Sequence, residues 1–438
     1  MVFSGMILNT NKNKINTPVE EEAPITLLST NGTWSLQHGD SNFASSGSRT
    51  AVEVVISKDG TKVAYYTQNE GYGANRYYKY TGATLNEPGS WSIVNWNGND
   101  KLSAAVTSAR GNESDRLGSF MAMSYNGNTV ALVAPIYNQF RGKVEIWKTD
   151  SDTNPTNLTR KGSTIENQNV KPNTNVQTQG TEYRGIALSG DGNIVVIGEM
   201  FYNSPTNGIV GRFLVYEYIN NDWSLITTVD NHGTNEWKQF GREVSCSETA
   251  DVILVGEPNN NKSHVYRRSG NNWNLEQEFT NNLAGHEVVV NDAGNILAFC
   301  AVTANGNTGA VEVWKYNSSN SSWELLGNKI NGNQNGYPSG SVNYFGQAIG
   351  LSSDGYKLVT GSAHYHVGGV QYVGGMKMFQ YNPTTNVWDN LGNPNIIIGT
   401  NQRETLPNTL RMTSDGSHVV IGAYEYLTGE LRYYKYNQ

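Results

Sequence analysis

Apolar and polar positions repeat along this chain in a pattern whose clearest copy is FGQAIGLSSDGYKLVTGS, residues 345–362. IGLS and KLVTGS are β-prone apolar runs, and Asp354-Gly355 between them supplies the positive φ of a tight connection. The segment therefore predicts a hairpin. Copies end in ISKDGTKVAYYT (56–67), MSYNGNTVALVAP (123–135), LSGDGNIVVIGE (188–199), CSETADVILVGEP (246–258), VNDAGNILAFCA (290–301) and MTSDGSHVVIGA (412–423). Each hairpin leads into a third run rich in aromatic and apolar residues, from NRYYKY (75–80) to ELRYYKY (430–436). In most units a polar turn and a Trp then open a fourth run, at Trp91, Trp223, Trp273, Trp323 and Trp388; the second unit substitutes NPTNLTRKG, without a Trp.

The turn glycines or their equivalents, Gly60, Gly127, Gly192, Ala250, Gly294, Gly355 and Gly416, are spaced by 67, 65, 58, 44, 61 and 61 residues. A period near sixty fits a four-stranded meander with generous loops. The last unit ends at Asn437-Gln438, directly after its third run, while ITLLSTNGTWSLQH (25–38) carries the turn-plus-Trp pattern of a fourth run ahead of the first hairpin. An N-terminal strand completing a C-terminal blade closes a circular array and removes its edges. The expected fold is all-β: a seven-bladed β-propeller of four-stranded antiparallel blades over residues 24–438, preceded by a flexible arm, 1–23, that is polar and aperiodic. Two tandem β-sandwiches would explain neither the register of the repeats nor the split last blade.

LGSF (117–120), FGRE (240–243) and FGQA (345–348) each precede a first strand, and VAP (133–135), VGEP (255–258) and TGSA (360–363) each end a second. With these motifs the chain resembles FG-GAP-type repeats, the blade unit of the integrin α-subunit propeller and of many microbial and viral proteins, over roughly residues 25–438. The resemblance implies adhesion and protein–protein contact. Read physically, glycine at these points lets strands crowd and backbones approach. The Asp-rich calcium loop of integrin-like blades has no counterpart: the nearest candidate, Asp150-Ser151-Asp152, lacks the following Gly and a third ligand. No metal or other cofactor is expected.

Composition narrows the function. A net charge of −7 with no basic run argues against nucleic acid as a partner. Cys246 and Cys300, in apolar strand patterns of adjacent repeats, read as buried free thiols. No stretch reaches the roughly 18 consecutive apolar residues of a membrane span. The N-terminus lacks the pattern of a Sec signal, so export by that route is not expected.

In a meander blade the first-to-second and third-to-fourth turns share one face of the disc, and the second-to-third and blade-to-blade loops share the other. The second set is long, as in MFYNSPTNGIVG (200–211) and AHYHVGGVQYVGG (363–375), and variable loops on a rigid scaffold make a recognition surface. Binding candidates there are Tyr72, Tyr137, Phe140, Phe201, Tyr202, His364, Tyr365, His366, Tyr372, Tyr424 and Tyr426; aromatics can anchor a protein partner or stack on a sugar ring. On an extended segment His364 and His366 would lie on one side, as two metal ligands require, but no third ligand is in view and they read as exposed loop residues. Asp59, Asp191, Asp354 and Asp415 read as turn formers on the opposite face.

Catalytic motifs are missing: there is no G-x-S-x-G, H-E-x-x-H or phosphate-cradling loop. Glu199, Glu257 and Glu425 recur at the end of second strands and could stand around a channel or cap loops. The expectation is a non-enzymatic binding or assembly protein, a virion tail, fibre or minor capsid component presenting loops to other virion or surface proteins, or to a host glycan or receptor. It would act on the virion or an extracellular surface. A lectin-like propeller, a bacterial adhesin and, more remotely, a polysaccharide-active enzyme are the alternatives.

Overall fold

The computed structural model describes residues 25, 27–38, 53–67, 73–82, 84–99, 101–103, 115–137, 142–167, 183–231, 237–280, 285–332, 344–366, 373–392, 396–399, 409–423 and 430–438. These residues are nearly all β, arranged as sheets that are antiparallel except where Asn157 and Leu158 pair in parallel with Asn95 and Trp96 and join the first two units. Six consecutive four-stranded units follow one another. The first comprises Glu53–Ile56, Lys62–Thr67, Ala74–Tyr80 and Trp91–Trp96, and the second Phe120–Met123, Thr129–Ala134, Lys143–Thr149 and Asn157–Arg160. The third is Tyr183–Leu188, Ile194–Glu199, Arg212–Ile219 and Asp222–Asp230, and the fourth Val244–Cys246, Val252–Glu257, Lys262–Ser269 and Asn272–Phe279. The fifth is Val288–Val290, Ile296–Ala301, Ala310–Asn317 and Ser322–Leu325, and the sixth Ala348–Leu351, Lys357–Ser362, Gly375–Asn382 and Val387–Leu391.

The seventh sheet is split in sequence. Thr409–Met412, His418–Ala423 and Glu430–Asn437 come from the C-terminus, and the N-terminal Thr33–His38 is their outer strand, in register from Thr33 opposite Asn437 to Leu36 opposite Tyr434. Trp34 leans on Tyr436 at 5.0 Å between ring centroids, and the Leu28 amide donates to Gln380 of the sixth unit at 2.7 Å.

One turn chemistry builds every hairpin. A side-chain oxygen of Ser57, Ser124, Ser189, Ser247, Asn291, Ser352 or Thr413 accepts the amide five residues on, at 2.9–3.1 Å. The aspartates two residues after Ser57, Ser189, Ser352 and Thr413 accept those hydroxyls, so Asp59, Asp191, Asp354 and Asp415 do form turns. Ala250 holds φ +56° where most copies have Gly.

The turns also bond to one another in a cycle. The Lys58 amide donates to the Tyr125 carbonyl, Tyr125 to Gly190, Gly190 to Glu248, Glu248 to Asp292, Asp292 to Ser353, Ser353 to Ser414, and Ser414 back to Lys58, at 2.7–3.4 Å. First strands of consecutive units adjoin in the same order, and that of the seventh adjoins that of the first.

Apolar layers fill the spaces between sheets. Val54, Val63 and Tyr65 of the first unit pack with Val420, Leu431 and Tyr433 of the seventh. Similar layers lie between each other consecutive pair of units. Second strands have a sheet against both faces, so the six from the first to the sixth unit are buried along their whole length and read as continuous apolar runs.

The FG motifs are clamps between units. Phe240 and Phe345 are fully buried and bridge to Gly211 and Gly309 of the preceding unit. At Gly346, φ is +94°, and a Cβ would stand 2.7 Å from the Cys300 Cβ of the fifth unit. Cys246 and Cys300 are buried and free. Among the described residues no helix is long and apolar enough to cross a membrane.

Candidate functional site

The first strands begin around a cavity of about 610 Å³ on the side of the long loops. Residues four positions before the seven turn-capping residues occupy equivalent places: Glu53, Phe120, Gly185, Glu243, Glu287, Ala348 and Thr409. All but Gly185 line this vestibule, where Ile186 takes its place. Second-strand ends and inter-unit segments complete the wall with Tyr66, Arg116, Thr303, Tyr344 and His364.

Below the vestibule lies a throat of about 210 Å³ lined largely by apolar residues such as Val55, Met123, Leu188, Val290 and Leu351. Glu243, Glu287 and Arg411 belong to both spaces, so charge concentrates at the floor of the vestibule. At the turn end, Lys58 of the first unit bridges to Asp292 of the fifth at 2.6 Å and sits 4.5 Å from the Tyr125 ring centre. Burial, with Asp292 next in effect, raises the Tyr125 phenol, so it stays protonated and closes that end as a neutral donor. Among the described residues the channel is thus obstructed at its turn end.

On the floor, Arg411 pairs with Glu53 at 2.8 Å, and Arg242 reaches Gln239 at 3.0 Å. Burial and the neighbouring Glu243 push the Glu287 carboxyl well above the usual carboxylate range, against the pull of Arg411. Glu53 adds to the rise and Arg242 opposes it. Burial and the proximity of His366 lower His364, which favours its neutral form. Its Nδ1 lies 3.2 Å from Gln347 Oε1, and its ring meets Tyr344 edge-on at 5.0 Å.

The structure redistributes the sequence candidates. Tyr365 is buried against Gly375 and the apolar layer between the fifth and sixth units, contrary to the expected exposed aromatic. His364 stands on a turn and His366 just after it, neither on a strand; of the two only His364 lines the vestibule, and both are half-buried. Among the described residues no group of three or more His, Cys, Asp or Glu is placed to hold a metal.

Loop aromatics fold back onto the scaffold: Phe201 packs on Trp237 at 5.6 Å, Tyr202 lies under the Arg212 guanidinium at 3.8 Å, and Tyr137 sits 4.4 Å from the Lys143 ammonium. Tyr72, Phe140, Tyr372, Tyr424 and Tyr426, with Glu425 and the arm 1–23, lie outside the described residues.

Glu199 and Glu257 do not face the channel. Glu199 is fully buried, held by Arg212 at 2.5 Å and Asn167 at 2.7 Å. Glu257 is held by His264 at 2.8 Å and Asn231 at 2.7 Å. They tie second strands to the segments that leave the preceding units. Asp150 accepts the Thr156 and Asn157 amides in its own turn, and Asp152 accepts from Asn128 of the hairpin turn 24 residues earlier.

The carboxylates that do meet at the channel were marked in the sequence by a different repeat: Glu53-Val54-Val55, Glu243-Val244-Ser245 and Glu287-Val288-Val289 all open first strands.

No protein-family model matches the chain, and no curated protein sequence does. Similar solved structures include a functionally unknown protein from Desulfotomaculum acetoxidans DSM 771, at 12% identity over 86% of this chain and 89% of that one, with a TM-score of 0.49. Two proteins provisionally assigned as 6-phosphogluconolactonases also resemble it with a TM-score of 0.49. That from Bacteroides uniformis ATCC 8492 is 12% identical over 80% of this chain and 86% of that one. That from Bacteroides fragilis NCTC 9343 is 10% identical over 80% and 84%. Likenesses this distant carry no inference about activity.

Proposed function

We propose that the protein is a non-enzymatic binding or assembly protein built as a seven-bladed propeller of the FG-GAP type, closed by its N-terminal strand. Its long-loop face, with the vestibule at its centre, is the binding surface. The cycle of turn-to-turn hydrogen bonds and the apolar layer between the seventh and first units support the closed ring. One observation carries the functional reading: among the described residues the channel is obstructed by Lys58, Asp292 and Tyr125 at the turn face and widens into the vestibule on the side of the long loops. A scaffold with one closed and one open face presents a single site to a partner.

The partner we assign is a protein of a virion or cell surface, with a host glycan or receptor as the alternative, and the protein acts as a virion structural or attachment component. The test places the full chain on purified particles and on a glycan array. Saturable binding to one of them that is lost on Tyr344→Arg, at the vestibule wall, and kept on Asp222→Arg, on an outer turn, is the expected result. Silence in both formats would sink the reading.

A second reading rests on the Glu287 carboxyl, which burial and the neighbouring Glu243 raise well above the usual carboxylate range inside a cavity, as the environment of a general acid does. Turnover of a polysaccharide that disappears in Glu287→Gln would replace binding with hydrolysis.

A further inference from the structure

Phe201, Tyr202 and Trp237 gather on the long-loop face where the third unit meets the fourth. The loop after Ile194–Glu199 doubles back through the antiparallel pair Asn203–Ser204 and Gly208–Ile209, and the Val210 amide donates to the Tyr202 carbonyl at 2.9 Å at its base. The segment leading to Phe240 joins it there, the Trp237 amide donating to the Ile209 carbonyl at 3.4 Å. Asn259, just after the second strand of the fourth unit, fixes that segment in turn: its Nδ2 donates to the Trp237 carbonyl at 2.7 Å and its amide to the Lys238 carbonyl at 3.2 Å. Three stretches of chain thus hold one aromatic cluster. Phe201 and Trp237 meet at 5.6 Å between ring centroids with planes 62° apart, and Tyr202 lies under the Arg212 guanidinium at 3.8 Å. All three aromatics are only half-buried.

The backbone singles out Trp237. Its φ is +71°, a region that a bulky side chain rarely takes. Arg116, Gln239 and Tyr344 also have positive φ, but each stands two residues before a clamp glycine, Gly118, Gly241 or Gly346, so theirs is a property of the repeat. Trp237 lies outside that register. Nor does packing account for it, because neither Trp237 nor Phe201 belongs to the apolar layers between units. A strained backbone that serves no core calls for a functional explanation.

The surroundings say what the cluster fits. Neighbouring charges are taken up within the scaffold: Arg212 is held by Glu199 at 2.5 Å, Lys262 by Glu278 at 2.6 Å, and Glu257 by His264 at 2.8 Å. The exposed residues around the rings carry amides instead, on Asn203, Asn207 and Asn259. A primary amide both donates and accepts, as a partner for hydroxyl groups must. An aromatic surface edged with neutral amides suits a ligand that has one C–H face and hydroxyls around it.

The geometry points to a carbohydrate site at this boundary: one pyranose ring stacks on the Trp237–Phe201 platform, and its hydroxyls bond to the Asn203, Asn207 and Asn259 amides. This rests on the reading of the long-loop face as the binding face and takes its glycan partner, while placing the contact at the edge of that face and not in the vestibule. Lys238, next to Trp237, would add a charge contact to a sugar bearing a carboxylate.

The experiment is saturation-transfer NMR of the full chain with methyl β-galactoside, methyl β-N-acetylglucosaminide and methyl β-glucuronide. Sorbitol, an acyclic polyol without a ring face, is the control. Expected are transfer to the ring C–H protons of at least one glycoside, none to sorbitol, and affinity that falls roughly tenfold or more in Trp237→Ala. Trp237→Tyr, which keeps a ring, should retain part of it. Trp237→Gly separates recognition from packing: glycine takes φ +71° without strain, so this variant should melt no lower than the parent and still lose binding.

Preference for the glucuronide brings Lys238 into the site, and equal or tighter binding of a neutral glycoside leaves recognition to the platform and its amides. Sorbitol binding like the glycosides, silence from all three glycosides, unchanged affinity in Trp237→Gly, or a Trp237→Gly variant that melts well below the parent would overturn the site. Glycan capture that is lost in Tyr344→Arg and kept in Trp237→Ala removes this site and leaves the vestibule; the opposite pattern removes the vestibule and leaves this site. Particle capture without glycoside binding removes this inference alone.

Discussion

Two carboxylates show how burial takes opposite signs according to what surrounds it. At Glu257, burial works against ionisation, but the His264 hydrogen bond and charge, with Asn260 and Asn231, more than offset it and hold the carboxyl below its usual range. The folded state then binds fewer protons than the unfolded chain. Glu257 therefore contributes stability that is complete above its unfolded pKa, about 4.3, and is lost as pH falls through the folded value. At Glu287, burial and Glu243 prevail over Arg411 and raise the carboxyl. Here the folded state holds the extra proton, so stability falls as pH rises from about 4.3 toward the folded pKa. Urea midpoints measured from pH 4 to pH 9 should separate them. Glu257→Gln should cost most at neutral pH and progressively less in acid. Glu287→Gln should match the parent near pH 4 and exceed it at pH 8. Parallel curves for the two variants would show that burial does not act on the two carboxyls with opposite net sign.

Between the residue and the whole, the FG motif joins one unit to the last, and its glycine is required there by position. Gly241 has φ +83°, and a Cβ would drive into the Arg212 carbonyl of the preceding unit; Gly98 has φ +85° with nothing within 4 Å. Gly98→Ala should cost only the left-handed penalty, roughly 1–2 kcal/mol. Gly241→Ala should cost about 3 kcal/mol or more, since backbone on both sides must also move. Equal losses in urea denaturation would remove the clamp from the motif. The hairpins and fourth strands were legible in sequence because their signals are local: Asp354-Gly355 fixes a turn, and a Trp after a polar turn marks an outer strand. The vestibule was less legible because it is assembled from seven separated places. Glu199 and Glu257 looked like channel residues by their common place at strand ends, yet Arg212 sits opposite Glu199 across the strand pair and takes up its charge. Glu53, Glu243 and Glu287 lie four residues before Ser57, Ser247 and Asn291, a register visible only once the turn-capping residues are recognised. Tyr365 reads as a loop residue because its cover, Ile396 and Gly375, comes from other parts of the chain.

At the scale of the molecule, the proposed ring differs from an open array in how it fails. In an open stack each unit answers only to its neighbours, so an end can melt while the rest stands. Here the outer strand of the seventh sheet comes from the N-terminus, and the seventh sheet's Val420, Leu431 and Tyr433 share a layer with the first. Removing residues 24–38 would uncover Tyr434 and Tyr436, now 8% and 4% exposed, and leave Glu430–Asn437 as an open edge. Two aromatic side chains returned to water are worth about 3–6 kcal/mol, before the lost strand hydrogen bonds are counted. Because the cycle of turns runs through Ser414 in both directions, that loss should be felt by the first and sixth units as well. Calorimetry of the truncated chain should therefore show one transition shifted to lower temperature, reported alike by Trp fluorescence and far-ultraviolet dichroism, whereas removal of residues 1–20 should leave the transition in place. A small early transition followed by the parental one would mean that the seventh sheet melts alone, and the units would then be a stack with two ends and not a ring.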